Sequence, residues 1–394
     1  MGMTCPACHA ADTQALVDLG VAPVLCGVTW DNPEAARSSP SARIVLENCP
    51  ECAHVRNGMF EEALVSYEES YDNTLHHSPT FGLFAEVLAQ RIAASYDLRG
   101  KHVLEIGCGK GEFLETLCRY AGCRATGYDP SYDGRSHHPQ ITFVRETADF
   151  RQVPEFDFFV SRHVLEHLQD PQTLLLELAE ASAGRTVYGY LEVPDAMYDF
   201  ERSGWDCNYE QVSYFCATSL RRLVERCGFR LVRLLRTFGG EFLSLEVASE
   251  GHAPPVPLVV QGMGIQRERE ILESFGARRG RSVADWRGRL RALAPDRTVF
   301  WGAGVRGVSF LNAMDPQCSL AAVVDINPGK WGRYLPVTGH RVVSPDELAR
   351  YEIETVLIAN AIYEREIVDR LYELGIAATV ICVDEATALD GTIT

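Results

Sequence analysis

Apolar residues in this chain come in short runs separated by amphipathic stretches, a rhythm that predicts repeated strand–helix units. Runs at 102–106, 125–129, 141–144, 157–161 and 187–193 have the length and content of buried strands, and two more follow near 229–235 and 242–248. A charged stretch of helical character spans about 266–293, and strand-like runs return at 298–301, 321–325 and 355–359. Between these regions Glu250 to Pro257 carries three prolines and a glycine, the composition of a linker. At 394 residues the chain exceeds one ordinary core. The pattern predicts an α/β fold in three blocks: a small module over 1–60, an alternating core over 61–250 and a second, smaller α/β unit over 260–394.

The junction of the first core strand with its helix carries the most information. Residues Val103 to Gly111 read V-L-E-I-G-C-G-K-G, so the strand runs into a turn where Gly107, Gly109 and Gly111 alternate before a helix begins at Glu112. Glycine is needed where backbone turns sharply and lies against a ligand with no Cβ in the way. The spacing, with Glu105 ahead of the turn, is E-x-G-x-G-x-G and not the G-x-G-x-x-G of dinucleotide enzymes. Asp129 ends the second strand, where such folds hold ribose hydroxyls. Acid and glycines in register predict a nucleoside cofactor, against the plainer reading of a structural turn with incidental glycines. The last block repeats the scheme, with Gly302, Gly304 and Gly307 after a strand and Asp325 at the end of the next.

Charge and cysteine content narrow the partners. A formal net charge of −17 argues against nucleic acid, whose phosphates are bound through Lys and Arg. No run approaches the ~20 apolar residues of a membrane span, and the N-terminus lacks a secretory pattern. Most of the thirteen cysteines lie singly in apolar patterns, as buried reduced thiols do, so a cytoplasmic address is expected. Four are different. Cys5-Pro-Ala-Cys8 and Cys49-Pro-Glu-Cys52 each present two thiolates from one tight turn, and two such knuckles close a tetrahedral shell around Zn²⁺. The 40 residues between Cys8 and Cys49 exceed the ~15–20 of common four-cysteine sites, but strands formed near Leu19–Pro23 and Ile44–Asn48 would bring the pairs together. Four cysteine ligands leave no open position, so this zinc is expected to be structural; a redox dithiol is the rival reading.

The order of blocks, together with several stretches, resembles class I S-adenosylmethionine-dependent C-methyltransferases that act on nucleotide-linked keto-deoxysugars in antibiotic pathways. The stretches are Leu19–Pro23, Cys49–Cys52, Tyr71 with Ser78–Phe81, Val164–His167, Glu210–Phe215, Gly332–Pro336 and Ser344–Leu348. The resemblance spans essentially the whole chain. It implies a Rossmann-like core in which Glu105, Gly107, Gly109, Gly111, Asp129 and His163 bind S-adenosylmethionine, a zinc-binding N-terminal module and a smaller Rossmann-like C-terminal domain. It also implies an active site drawn from Tyr71, His167, Tyr209 and Glu210. The chain departs from the family at its H-E-H-L-S-Y-F motif: Tyr209 and Gln211 replace the histidines that flank the acid, and Asn208 stands where the sugar enzymes carry a tyrosine. Glutamine cannot take up a proton as imidazole does.

Carbon methylation beside a carbonyl needs a base for the α-proton and a donor for the enolate oxygen. His167 is expected as the base, Glu210 as its orienting acid or as a base in its own right, and Tyr71 and Tyr209 as donors to the oxyanion. His163 and His167, four apart, would form a metal face or two polar caps if they shared a helix. His76-His77 and His137-His138 read as exposed loop residues, the first pair close enough to Tyr71 in sequence to touch substrate; His9 and His54 read as surface residues or as residues behind the cysteine ligands, not as ligands; Tyr214-Phe215 reads as core. The expected partner is a small molecule, with a nucleotide diphosphate sugar whose carrier part meets the last block as the specific candidate. The same cofactor used for O- or N-methylation, alkyl transfer or cyclisation is the second expectation, and a non-catalytic nucleotide-binding scaffold is the alternative from another class. Oligomeric state is not legible.

Overall fold

The computed structural model describes residues 4–67, 71, 74–249, 259–314 and 319–384. The predicted linker at 250–257 lies outside them. Two compact units emerge, one of Met1–Leu16, Val45–Tyr198 and Gln211–Leu272, the other of Val17–Ile44, Asp199–Glu210 and Glu273–Thr394. Both cysteine pairs fall in the first unit, whereas 17–44, expected in the same small module, group with the second.

The first unit is built on an eight-stranded sheet. Across it the order is Val259–Val260, Arg230–Thr237, Phe242–Ala248, Tyr188–Pro194, Phe158–Arg162, His102–Ile106, Arg124–Tyr128 and Ile141–Val144. The five strands from Tyr188–Pro194 to Ile141–Val144 are parallel, and Phe242–Ala248 inserts antiparallel beside Tyr188–Pro194. Strand order reverses at His102–Ile106, whose neighbours are the second and fourth of these parallel strands in sequence. Ligands of open α/β sheets bind at such a switch point, beyond the carboxyl ends of the strands. Val103, Leu104, Phe158, Phe159 and Val160 are fully buried, which explains strands that read as continuous apolar runs.

Local signals set the helices. Ser78 caps Pro79–Tyr96 by accepting from the Phe81 amide at 3.2 Å, with Pro79 at the first turn where its missing N–H costs nothing. Glu112–Ala121 starts on Gly111 and ends on Gly122, both left-handed. Predicted strands and observed ones agree within two residues along the core. The charged stretch forms the helix Ile265–Ala292. The second unit carries a five-stranded parallel sheet ordered Val342–Val343, Ala322–Val324, Thr298–Trp301, Thr355–Ile358 and Thr379–Cys382. It too reverses at its first strand.

Candidate active site

The glycine turn sits at the end of His102–Ile106, and its three glycines do different jobs. A Cβ on Gly107 would stand 2.1 Å from Val164 Cγ2, and one on Gly111 would stand 2.7 Å from the Phe143 ring and 2.8 Å from Ser136 Cβ. These two are demanded by the protein's own packing. Gly109 is not: the space where its Cβ would lie is open to 4 Å. All three have positive φ. The open face at Gly109 is therefore the one that can lie against a ligand.

Asp129 locks this turn. Its carboxylate accepts from the Gly109 amide at 2.8 Å and from the amide and hydroxyl of Ser131, both at 2.7 Å. Three of a carboxylate's roughly four acceptor positions are thus used, leaving limited capacity for a ribose hydroxyl. Glu105 is 2 % exposed, its Oε2 has no hydrogen-bond partner, and burial pushes its pKa up to about 8 against the opposing charge of Arg162. A buried carboxyl with an unused oxygen beside an open glycine face is a place for a cationic group.

Sheet register assembles a polar network next to it. Arg162 stands opposite Glu192, and Glu192 opposite Ser244 on the following strand. Arg162 pairs with Glu192 at 2.7 Å, Tyr190 donates to Glu192 at 2.6 Å, and Ser244 lies 2.7 Å from the Tyr190 hydroxyl. Burial opposes ionisation of Glu192, but Arg162 and His163 prevail and hold its pKa near 2. The Arg162 guanidinium lies 4.3 Å from the Phe113 ring centroid.

His163 and His167 do not share a helical face. His163 has φ 55, left-handed, and His167 ends a single 3-10 turn, Leu165–His167. The metal-face expectation fails for that reason, and among the described residues the only cluster of metal-ligating side chains is the cysteine one. His163 lies 3.4 Å from Glu166 and 3.3 Å from Glu192. Burial works against its cation, yet these two carboxylates raise its pKa to about 9. It is a fixed positive charge at neutral pH. His167 meets a different partner: its Nδ1 is 3.1 Å from the hydroxyl of Tyr67, whose ring packs edge-on against Tyr71 at 5.1 Å. The Val164 contact with the Gly107 position presses this turn onto the glycine loop.

Tyr67 was not singled out by sequence; an aromatic four residues before a candidate gives no spacing signal. His76, expected to be exposed, is half-buried against Phe81, and burial and then Arg162 lower its pKa to about 4. His54 is 2 % exposed and packs on Phe215, so of the two expected places it takes the one behind the cysteine ligands and not the surface. Tyr214 and Phe215 are core, as expected. Tyr209 and Glu210 are buried in the second unit, where Glu210 accepts from the Cys26 amide at 3.0 Å. Gln211 begins the last segment of the first unit and donates to the Ser213 carbonyl at 3.3 Å.

The two cysteine pairs fold as copies of each other. His9 N donates to Cys5 O and Ala53 N to Cys49 O; Cys5 N donates to Ala10 O and Cys49 N to His54 O. His9 and Ala53, fifth in each knuckle, are both left-handed. The four Sγ atoms lie within 4.8 Å of one another, with Cys5–Cys52 and Cys8–Cys49 at 3.6 Å. Ligands ~2.3 Å from a tetrahedral centre stand roughly 3.8 Å apart, so the donor set fits a zinc ion.

Residues 80–234 match the methyltransferase domain family model, and 295–382 match one described as C2185-like, N-terminal. The chain carries a methyltransferase domain. Its curated relatives include a ubiquinone biosynthesis O-methyltransferase of Coxiella burnetii, 31% identical over 107 residues, which cover 25% of this chain and 45% of that protein. The protein of the same description from Escherichia fergusonii is 30% identical over 94 residues, 21% of this chain and 39% of that one. The chain thus spans less than half the length of these relatives. A solved S-adenosylmethionine-dependent methyltransferase from Mesorhizobium loti is 15% identical, with a TM-score of 0.35 over 42% of this chain and 97% of that one.

Proposed function

We propose that the protein transfers a methyl group from S-adenosylmethionine to a small biosynthetic molecule, and that the acceptor is a nucleotide-linked keto sugar methylated at carbon. The observation that carries the cofactor is the pairing of Gly109's open face with the unused, buried oxygen of Glu105. Bound there, S-adenosylmethionine supplies an electrophilic methyl group on a sulfonium. Glu105 would take the cationic amino group, the Gly107–Gly111 backbone the amino-acid portion and the remaining acceptor capacity of Asp129 a ribose hydroxyl. The buried charges of Arg162 and His163 are already neutralised by Glu192 and Glu166, so they organise the turn without repelling a sulfonium.

His167 is the base in this reading. It has an aromatic neighbour at Nδ1 and sits on the turn that covers the glycine loop. Tyr71 is a donor to the developing oxygen charge. Glu210 and Tyr209 keep their sequence-assigned roles as proposals, since they belong to segment 199–210 of the other unit. The second glycine turn supports a nucleotide-carrying acceptor: Asp325 accepts from the Ala303 amide at 2.8 Å and the Asn327 amide at 2.8 Å, repeating the arrangement at Asp129. O-methylation is the second reading, favoured by Gln211 in place of a titratable side chain and by the O-methyltransferases among the relatives. The knuckles hold one structural Zn²⁺.

The test is calorimetry with S-adenosylhomocysteine, followed by incubation of the protein with labelled cofactor and nucleotide-linked keto sugars. Failure of the folded protein to bind S-adenosylhomocysteine overturns the cofactor assignment. Label found on oxygen and not carbon moves the acceptor to the second reading.

A further inference from the structure

The helix Glu112–Ala121 ends in a tight reversal whose inner contact is made by two thiols. Gly122 is left-handed, with φ 64, and its amide donates to the Cys118 carbonyl at 2.8 Å. This cap folds the residue after the glycine back onto the last turn, where apolar side chains usually meet. Here the two side chains are Cys118 and Cys123, both buried, with their sulfurs 3.1 Å apart. The knuckle thiols, a shared ligand set to which neither belongs, approach to 3.6 Å. The two thiols of the cap are unequal. Cys118 lies in the last turn, where the negative end of the helix dipole opposes a thiolate. Cys123 lies beyond the helix, and its hydrogen bond with Cys118 lowers its pKa against the effect of burial. The reversal itself is at the surface: Arg119, Tyr120, Gly122 and Arg124 are all exposed. Opening this one turn admits a small oxidant, and such local openings cost less than unfolding.

We propose that Cys118 and Cys123 are a thiol-oxidation site that reduces a peroxide and closes to a reversible disulfide, with Cys123 as the attacking thiol. The Cys123 thiolate attacks one oxygen of hydrogen peroxide and the O–O bond breaks. The leaving oxygen takes up a proton and departs as water, and Cys123 becomes a sulfenic acid. Cys118 then gives up its proton and attacks the sulfenic sulfur. The S–S bond forms, and the expelled hydroxide takes up a proton as a second water. Two thiols are oxidised by two electrons and one peroxide is reduced. The link would tie the helix to the start of the strand Arg124–Tyr128. That is the far end of the strand–helix unit whose near end carries the glycine turn and Asp129. The site is independent of the methyl-transfer reading.

Peptide mapping of the full chain tests this. Trypsin cuts after Lys110, Arg119 and Arg124, so the two cysteines fall on separate peptides, 111–119 and 120–124. Folded protein is treated with stoichiometric hydrogen peroxide and then denatured in iodoacetamide. The two peptides are expected as one disulfide-linked species that dithiothreitol separates. In Cys118→Ser, whose hydroxyl keeps a hydrogen-bond donor, dimedone should label Cys123 as its sulfenic acid. In Cys123→Ser, Cys118 should stay unlabelled. Both thiols alkylated after peroxide, or linked only to other cysteines, overturns the proposal. Dimedone on Cys118 and not on Cys123 overturns the assignment of the attacking thiol. Should neither variant fold, the wild-type map decides alone.

Discussion

Val212 and Glu166 are joined through the backbone: the Val212 amide donates to the Glu166 carbonyl at 2.8 Å, while the Val212 carbonyl accepts from the Asn57 amide at 2.9 Å. Asn57 ends the strand Val55–Asn57, which leaves the second cysteine knuckle directly and pairs with Ser213–Tyr214. The second knuckle is thus linked to the turn that carries His163 and His167 by one short strand and two backbone hydrogen bonds.

Metal removal should therefore loosen that turn before it unfolds the unit. Elemental analysis is expected to find one zinc per chain. Chelation, or Cys49→Ser, should speed hydrogen exchange at Val212 and across 165–168 while the central strands stay protected, because local openings cost less than global ones. Equal protection with and without metal would refute the coupling.

Glu105 predicts a pH dependence with a definite sign. Its folded pKa of about 8 lies above the ordinary carboxylate value, so the folded state binds the proton more tightly. Stability of the ligand-free protein is then lost as pH rises from about 4.3 towards 8. Glu105→Gln should flatten this fall in Tm. If a cationic amino group binds beside the ionised carboxylate, S-adenosylhomocysteine should release a proton at neutral pH. Calorimetry in buffers of different ionisation enthalpy measures the release, which should vanish in Glu105→Gln.

The glycines of the turn should separate fold from binding. Gly107→Val meets Val164 and should cost several kcal/mol or prevent folding, since overpacking alone costs ~1–3 kcal/mol and the position has positive φ. Gly109→Val has open space, so its cost is confined to the left-handed backbone, ~1–2 kcal/mol. It should nevertheless weaken S-adenosylhomocysteine at least about tenfold, or ~1.4 kcal/mol. Tm and calorimetry on both variants distinguish the two roles.

His167→Gln should lower kcat by ~10²–10⁴-fold with cofactor affinity nearly unchanged, the usual worth of a positioned base. Turnover near the wild-type level would mean that the methylated atom is already nucleophilic.

The sheet, the glycine turn, its acid and the paired knuckles were legible because each rests on local spacing: apolar runs, alternating glycines and C-x-x-C turns. Two of the three glycines answer to packing by Val164, Phe143 and Ser136, partners that only the folded chain brings near. The Arg162–Glu192–Ser244 network follows from strand register and could not be read before the strand order was known. His163 and His167 look equivalent at four-residue spacing, but a left-handed backbone at His163 sends them to carboxylates and to a phenol respectively. Tyr67 was missed for the same reason: its partner is 100 residues away.

The second glycine turn permits a similar division of roles. A Cβ on Gly307 would lie 1.9 Å from the Gly302 carbonyl oxygen, so Gly307→Ala should destabilise the second unit by forcing its helix Val305–Ala313 off the strand. Gly304 has open space around its Cβ position and ordinary extended backbone, so Gly304→Val should fold with little change in Tm. If this turn carries the nucleotide part of the acceptor, uridine or thymidine diphosphate should bind the wild-type protein and bind Gly304→Val at least about tenfold more weakly. S-adenosylhomocysteine affinity should not change, because Glu105, Gly109 and Asp129 all belong to the other unit. Equal diphosphate binding by the two proteins would detach the second turn from substrate recognition and leave Asp325 with the purely internal task its two amide bonds already describe.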